Sequence, residues 1–301
     1  MTPAADTRPS SLRIWLLAAR PRTLPAAVAP VLVGTALAWT ARSIDWVAFV
    51  AALLGALFIQ VGTNLSNDYS DARRGADTED RLGPVRVTAG GLVPPRQVLV
   101  ATYVSFGLAV LCGIYLVAIA GWVLLAIGAA SILAGVLYTG GPRPYGYAGL
   151  GEIFVFLFFG VVAVTGSYYV QREALPWEAF VLAVPVGLLA SAILVVNNIR
   201  DLDTDRRAGK RTMAVRLGRA RTRVLYDVML VLAYVTVLIP WVAGEFDAWL
   251  ALPWLTLPLA LRLRTIVRTH TDGPTLNEAL AGTGKLEFLF CVLLAVGLMP
   301  S

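Results

Sequence analysis

Asn64, Asn67, Asp68 and Asp71 close one long apolar run of the 301-residue chain, and Asn197, Asn198, Asp201 and Asp205 close another, with Asn64 and Asn197 133 positions apart. Each stretch places an Asn four residues before an Asp, and residues four apart share one face of a helix. Asn64, Asp68 and Asp71 therefore project together, as do Asn197, Asp201 and Asp205. Carboxylates at the mouth of a membrane helix are costly, and their first reading is functional. Several of them on one cavity repel unless cations neutralise them. Hard oxygen ligands in this number favour Mg²⁺, which keeps waters and takes one or two carboxylates together with a substrate phosphate. Asn64, Asn67, Asn197 and Asn198 add amides that ligate through oxygen or donate to phosphate through nitrogen. Solvated acids at helix ends are the competing explanation, and it suits Glu79, Asp80 and Asp203. Asp77 stands between the two, beyond Gly75, where the helix is expected to have ended.

Basic residues lie beside these acids: Arg73, Arg74, Arg81, Arg86, Arg200, Lys210 and Arg211. Membrane topology alone accounts for most of those around 206–223. Arg81 and Arg86 differ, because they bracket the turn signal Gly83-Pro84 next to Gly90-Gly91, which predicts a structured loop over a site. Arginine there suits a bidentate grip on a diphosphate. Carboxylates, Mg²⁺ and Arg together would stabilise a diphosphate leaving group while the departing allyl group gains cation character. A third stretch, from Tyr138 through Arg143, Tyr145 and Tyr147 to Glu152, is a Gly- and Pro-rich turn. Its tyrosine faces suit a developing cation and suit an interfacial aromatic belt equally well. Glu152 reads as an acid at a helix start. Phe154, Phe156, Phe158 and Phe159 read as packing against lipid or neighbouring helices.

The elements that must position these residues are membrane helices. The chain is 57% hydrophobic and only 15% charged, against about 25% charged in soluble domains. Apolar runs of the length needed to cross a bilayer, about 20 residues, recur throughout. The fold class expected is an all-α polytopic membrane protein with nine transmembrane helices, over 24–41, 46–66, 97–118, 121–139, 150–170, 177–199, 222–242, 247–267 and 283–299. Residues 1–23 form an N-terminal tail, polar over 1–10, and an amphipathic interfacial segment over 11–22; residues 24–299 form one transmembrane domain. With the N-terminus inside, 23 of the 25 Lys and Arg fall on inner segments and their flanks, leaving only Arg42 and Arg172 outside. The positive-inside rule then sets a cytoplasmic N-terminus. Both Asn–Asp stretches end helices four apart, so both open on the cytoplasmic side. Their common offset suggests duplication of a four-helix unit.

The net charge of +6 follows from the same bias, so no nucleic-acid partner is implied. Cys112 and Cys291 lie in apolar runs and read as small core residues. His270 is the only histidine and reads as a solvated loop residue.

The motifs Asn67-Asp68-x-x-Asp71, with Asp77 following, and Asp201-x-x-x-Asp205 resemble those of the UbiA superfamily of intramembrane aromatic prenyltransferases. Within it the chain is most similar to the branch acting on 1,4-dihydroxy-2-naphthoate in menaquinone synthesis, through Ala19-Arg20-Pro21-Arg22-Thr23-Leu24-Pro25, the run Asn64 to Asp71, Arg81 to Arg86, Pro144 to Glu152, Asn197 to Asp201, and Gly209 to Thr212. The resemblance implies Mg²⁺-dependent transfer of a polyprenyl chain from polyprenyl diphosphate to the naphthoate ring, with loss of diphosphate and CO₂, in a prokaryotic plasma membrane. It implies that Asn64, Asn67, Asp68, Asp71, Asn197, Asp201 and Asp205 hold the metal and diphosphate. Arg22, Arg81, Asn198 and Lys210 are further diphosphate contacts, and Tyr138 belongs to the catalytic set. Asp77 follows Asp71 by six residues, where the family more often has about four, so it fits either the metal or the aromatic acceptor. Rival readings are another acceptor, such as 4-hydroxybenzoate, and a cation-coupled transporter. The shared orientation of the two motifs, both at one membrane face, disfavours the transporter.

Overall fold

The computed structural model describes residues 10–39, 43–76 and 82–300. Asp77, Arg81, the tail residues 1–9 and the predicted helix end at 40–41 lie outside them. The described residues are helical, with no strand among them.

Helix α1 (Ser11–Ala19) is capped by the Ser10 hydroxyl and followed by a 3₁₀ turn, Pro21–Thr23. Helix α2 (Pro25–Trp39) departs at 50° from that segment, which fits an interfacial helix leading into a span. Helix α3 (Trp46–Arg73) starts at Asp45, whose carboxylate accepts from the Val47 and Ala48 N–H groups. It stops where Gly75 turns left-handed at φ 63°, a conformation that costs glycine little. Then come α4 (Pro95–Ala120), α5 (Val123–Leu137), α6 (Gly151–Arg172) and α7 (Trp177–Arg207). The short α8 (Met213–Leu217) precedes α9 (Arg219–Val242), α10 (Ala248–Thr269) and α11 (Gly273–Leu298).

Seven of these, α3, α4, α6, α7, α9, α10 and α11, are long and apolar enough to cross a membrane, and the bent pair of α1 and α2 makes an eighth if it is one span. The 15-residue α5 is about 22 Å long, short of a bilayer core of about 30 Å. Each of the nine expected runs is thus helical, but with different ends. The helix expected at 46–66 continues to Arg73, that at 177–199 to Arg207, and that at 283–299 begins at Gly273. The added turns are polar and do not resemble a membrane span. They remain helical because their faces are buried against the rest of the protein, as Asp68, Asp71 and Asp201 show.

Helix α7 is the hub, with most of its apolar stretch buried, packing against α6, α9 and α11. α3 packs mainly on α4, and α2 on α6 and α11. At the α6–α7 crossing, a Cβ on Gly160 would stand 2.6 Å from the Cα of Gly187. Small residues at such a crossing let backbones approach where hydrophobic driving force is absent. The Gly160 stretch, Phe156–Val162, is a π-helical segment of α6, a departure often found at functional sites.

Candidate active site

The end turns of α3 and α7 converge on one cavity of about 630 Å³. Asn64, Asn67, Asp68 and Asp71 of α3 and Asn197, Asn198, Asp201 and Asp205 of α7 all line it, with Arg22, Tyr138 and Lys210. The structure therefore brings together every predicted site residue that it describes. Away from this polar end the cavity is walled by Ala52, Gly55, Gly113, Leu124, Gly128 and Val170, an apolar bore.

The first motif is buried, with Asp68 2% and Asp71 1% exposed. The Asp68 carboxylate accepts the backbone N–H of Val87 at 3.0 Å and of Thr88 at 2.9 Å, so it pins the loop after Gly83-Pro84 over the cavity. Asp71 accepts from the Arg86 guanidinium at 2.7 Å and from the Tyr147 hydroxyl. The loop is structured as expected, and Arg86 is one of the two arginines that bracket its turn signal.

The second motif is arranged differently. Arg200 is 3% exposed and donates to both oxygens of Asp201, at 2.8 and 2.6 Å. The same guanidinium donates to Asn197 Oδ1 at 2.8 Å and to Asn277 Oδ1 at 2.6 Å. Asn277 in turn donates to the Leu82 carbonyl at 2.8 Å, tying α11 and the loop to α7. Lys210 Nζ stands 3.9 Å from Asp205 and 4.8 Å from the centre of the Tyr147 ring.

These partners revise the electrostatic expectation. Asp71, Asp201 and Asp205 are each matched by an Arg or Lys, and Asp68 by two backbone N–H groups. Repulsion among the carboxylates therefore does not by itself demand added cations. Among the described residues, no group of three or more His, Cys, Asp or Glu is placed to hold a metal. The donor set does not fit an all-protein metal cage. It does fit an ion shared between one or two carboxylates and a phosphate ligand, the usual manner of Mg²⁺.

The amides divide by orientation. Asn64 Nδ2 donates to the Ala19 carbonyl and the Thr23 hydroxyl, which leaves its oxygen for the cavity. Asn67 Oδ1 accepts from Thr139, which leaves its nitrogen as a donor. Asn197 is engaged at both ends, by Arg200 and by Asp201.

Three features go beyond the sequence reading. Tyr145 stacks on Phe154 at 4.0 Å, with Tyr138 edge-on to Tyr145 and Phe158 beyond. Tyr138, Tyr145, Phe154, Phe158 and Phe159 all line the cavity rather than lipid alone; the i,i+4 spacing of Phe154 and Phe158 was the available signal. Burial among this cluster pushes the Tyr145 hydroxyl pKa up. Asn277 lies in what was expected to be a loop before the last helix, so nothing marked it. Glu152 does lie in the first turn of α6, as expected, but it is also 3% exposed and hydrogen-bonded to Asn198, which its place at a helix start did not foretell.

The UbiA prenyltransferase family model matches residues 27–296. The chain is 44% identical to a 1,4-dihydroxy-2-naphthoate octaprenyltransferase of Mycobacterium tuberculosis, over 95% of this chain and 97% of that one. It is 37% identical to the enzyme so named in Escherichia coli, over 97% of each. A structure of a UbiA homolog from Archaeoglobus fulgidus bound to DMAPP and Mg²⁺ superposes with a TM-score of 0.69 at 16% identity, covering 95% of this chain and 99% of that one.

Proposed function

Since the chain belongs to the UbiA prenyltransferase family, we propose that its cavity is the site of polyprenyl transfer to 1,4-dihydroxy-2-naphthoate, yielding demethylmenaquinol, the reduced form of demethylmenaquinone. The protein is an integral membrane prenyltransferase of menaquinone biosynthesis. The observation that carries the site assignment is the convergence of both Asn–Asp faces on the polar end of one cavity whose other end is apolar. The diphosphate occupies the polar end and the isoprenoid tail the bore.

Asp68, Asp71, Asp201 and Asp205, with the Asn64 oxygen, would hold Mg²⁺, which would supply positive charge to the departing diphosphate. The chain's own donors act on the same oxygens: the Asn67 amide, Arg22, Arg81 and Lys210. As the allylic C–O bond breaks, the faces of Tyr138, Tyr145 and Phe154 lie along the cavity to stabilise the cation. The electron-rich ring forms the new C–C bond at the carbon bearing the carboxylate. That carboxylate leaves as CO₂, its bonding pair returning to the ring.

With the seven long apolar helices, α2 and the short α5 would make nine spans, the bilayer thinning locally to match α5. The distribution of 23 of 25 basic residues supports a cytoplasmic side for the N-terminus and the polar end of the cavity. The test is to incubate membranes with Mg²⁺, a polyprenyl diphosphate and either 1,4-dihydroxy-2-naphthoate or 4-hydroxybenzoate. A product with the mass of demethylmenaquinol, or of its quinone after oxidation by air, from the naphthoate alone, is expected. A prenylated benzoate only would overturn the acceptor assignment.

A further inference from the structure

Glu152 and Asn198 form a buried pair that the transfer step just described does not use. Helix α7 grips Glu152 at two points on one face, two turns apart. Ser191 Oγ donates to the Glu152 backbone carbonyl at 3.0 Å, and Asn198 Nδ2 donates to Glu152 Oε1 at 2.8 Å. The second carboxylate oxygen, Oε2, is buried and has no partner among the described residues. An unpaired buried acceptor is costly, and such groups call for a reason.

The reason lies in what a carboxylate does to an amide. A carboxylate only accepts, whereas an Asn side chain has one accepting and one donating end. Facing Glu152, Asn198 can settle only with its nitrogen toward the acid. Its oxygen is then turned the other way. Asn198 lines the cavity, and among the described residues Asn198 Oδ1 accepts no hydrogen bond from protein. The position also lies beside the aromatic cluster: Tyr138 lines the same cavity, and a Cβ on Gly151 would stand 3.6 Å from the Tyr138 hydroxyl.

We propose that Glu152 is a positioning residue that locks Asn198 with its oxygen toward the cavity, where it accepts a hydrogen bond from the 4-hydroxyl of the aromatic acceptor. This rests on the naphthoate transferase reading above. An oxygen is the wrong group to meet a diphosphate, so Asn198 leaves the set of diphosphate contacts. In the acceptor itself, the 1-hydroxyl bonds internally to the adjacent 2-carboxylate. The 4-hydroxyl is the donor left free to be read. A site built to take a hydroxyl rejects analogues lacking it, because its own buried polar group is then left unpaired.

The test compares binding of 1,4-dihydroxy-2-naphthoate and of 1-hydroxy-2-naphthoate, which lacks the 4-hydroxyl, by competition in purified full-length enzyme. Wild type is expected to prefer the dihydroxy compound by about 10-fold, the order of one hydrogen bond read in a buried site. In Asn198→Leu and Glu152→Leu this preference collapses toward unity, while KM for polyprenyl diphosphate stays within about 2-fold. The double variant loses no more preference than either single one. Glu152→Gln keeps size and fold but admits both amide orientations, so it loses part of the preference, and it supplies the reading if Glu152→Leu does not fold. Unchanged preference in Glu152→Gln or Asn198→Leu, or a rise in the diphosphate KM alone, overturns the proposal. A wild type that makes no prenylated naphthalene would instead overturn the function reading itself.

Discussion

Arg86 donates to Asp71 at 2.7 Å with both side chains almost wholly buried. The bond joins the last turn of α3 to the loop that crosses the cavity. The arginine thus holds the loop and also stands beside the proposed metal and diphosphate positions. Removing it with Arg86→Ala leaves a buried carboxylate short of its cation. Loss of one partner of a buried pair costs about 3–5 kcal/mol, and the remaining Tyr147 bond puts this case at the low end. The melting temperature in detergent is expected to fall by several degrees. In Arg86→Ala/Asp71→Asn the melting temperature is expected to recover in part, whereas prenyl transfer is not.

Asp68→Asn and Asp201→Asn separate charge from shape. Each is expected to lower turnover by at least about 100-fold, the scale of losing one major electrostatic contact to a leaving group. Asp68→Asn has a second effect, because an amide nitrogen would confront the Val87 or Thr88 N–H that Asp68 now accepts. Limited proteolysis within 82–94 should therefore be faster in Asp68→Asn than in Asp201→Asn. Near-normal, still Mg²⁺-dependent turnover in either variant would falsify the metal assignment.

Tyr147 joins the two halves of the site, its hydroxyl on Asp71 and its ring beneath Lys210. Tyr147→Phe keeps the ring and removes only the hydroxyl. It is expected to raise KM for polyprenyl diphosphate by a few-fold. Tyr147→Ala also removes the cation–π contact, worth about 0.5–2 kcal/mol, so its KM should rise further. Equal kinetics for the two variants would show that Lys210 does not depend on the ring.

Gly128 lines the apolar bore, and a Cβ there would meet nothing within 4 Å. Gly128→Leu therefore fills space without displacing the fold. Turnover with a long polyprenyl diphosphate is expected to drop at least about 10-fold relative to geranyl diphosphate, as a blocked subsite removes several methylene contacts. A uniform loss across chain lengths would place the tail elsewhere.

Gly187 is a control for packing rather than chemistry. A Cβ there would stand 2.8 Å from the Phe156 carbonyl oxygen. Gly187→Ala is expected to destabilise by about 1–3 kcal/mol, read as a lower melting temperature, with KM for both substrates little changed in the fraction that remains folded.

The amino-acid sequence by itself determined the class of fold and marked the two motifs that line one cavity. Apolar run length marks helices without any tertiary information, because a bilayer-spanning backbone must bond to itself. The Asn–Asp spacing marked two helical faces, since i,i+4 geometry is local. What the sequence left open was where the helices stop and what each side chain faces. The polar turns Asn67–Arg73 and Arg200–Arg207 look like loops until α3, α7 and the 82–94 loop bury them against one another. Asn277 and Glu152 sit far along the chain from the partners that give them meaning, Arg200 and Asn198. The sequence showed carboxylates needing neutralisation, and only the tertiary structure decided that Arg86, Arg200, Lys210 and two backbone N–H groups already meet them. Charge pairing and amide orientation depend on distances of a few ångströms between residues distant in sequence, which no local spacing encodes.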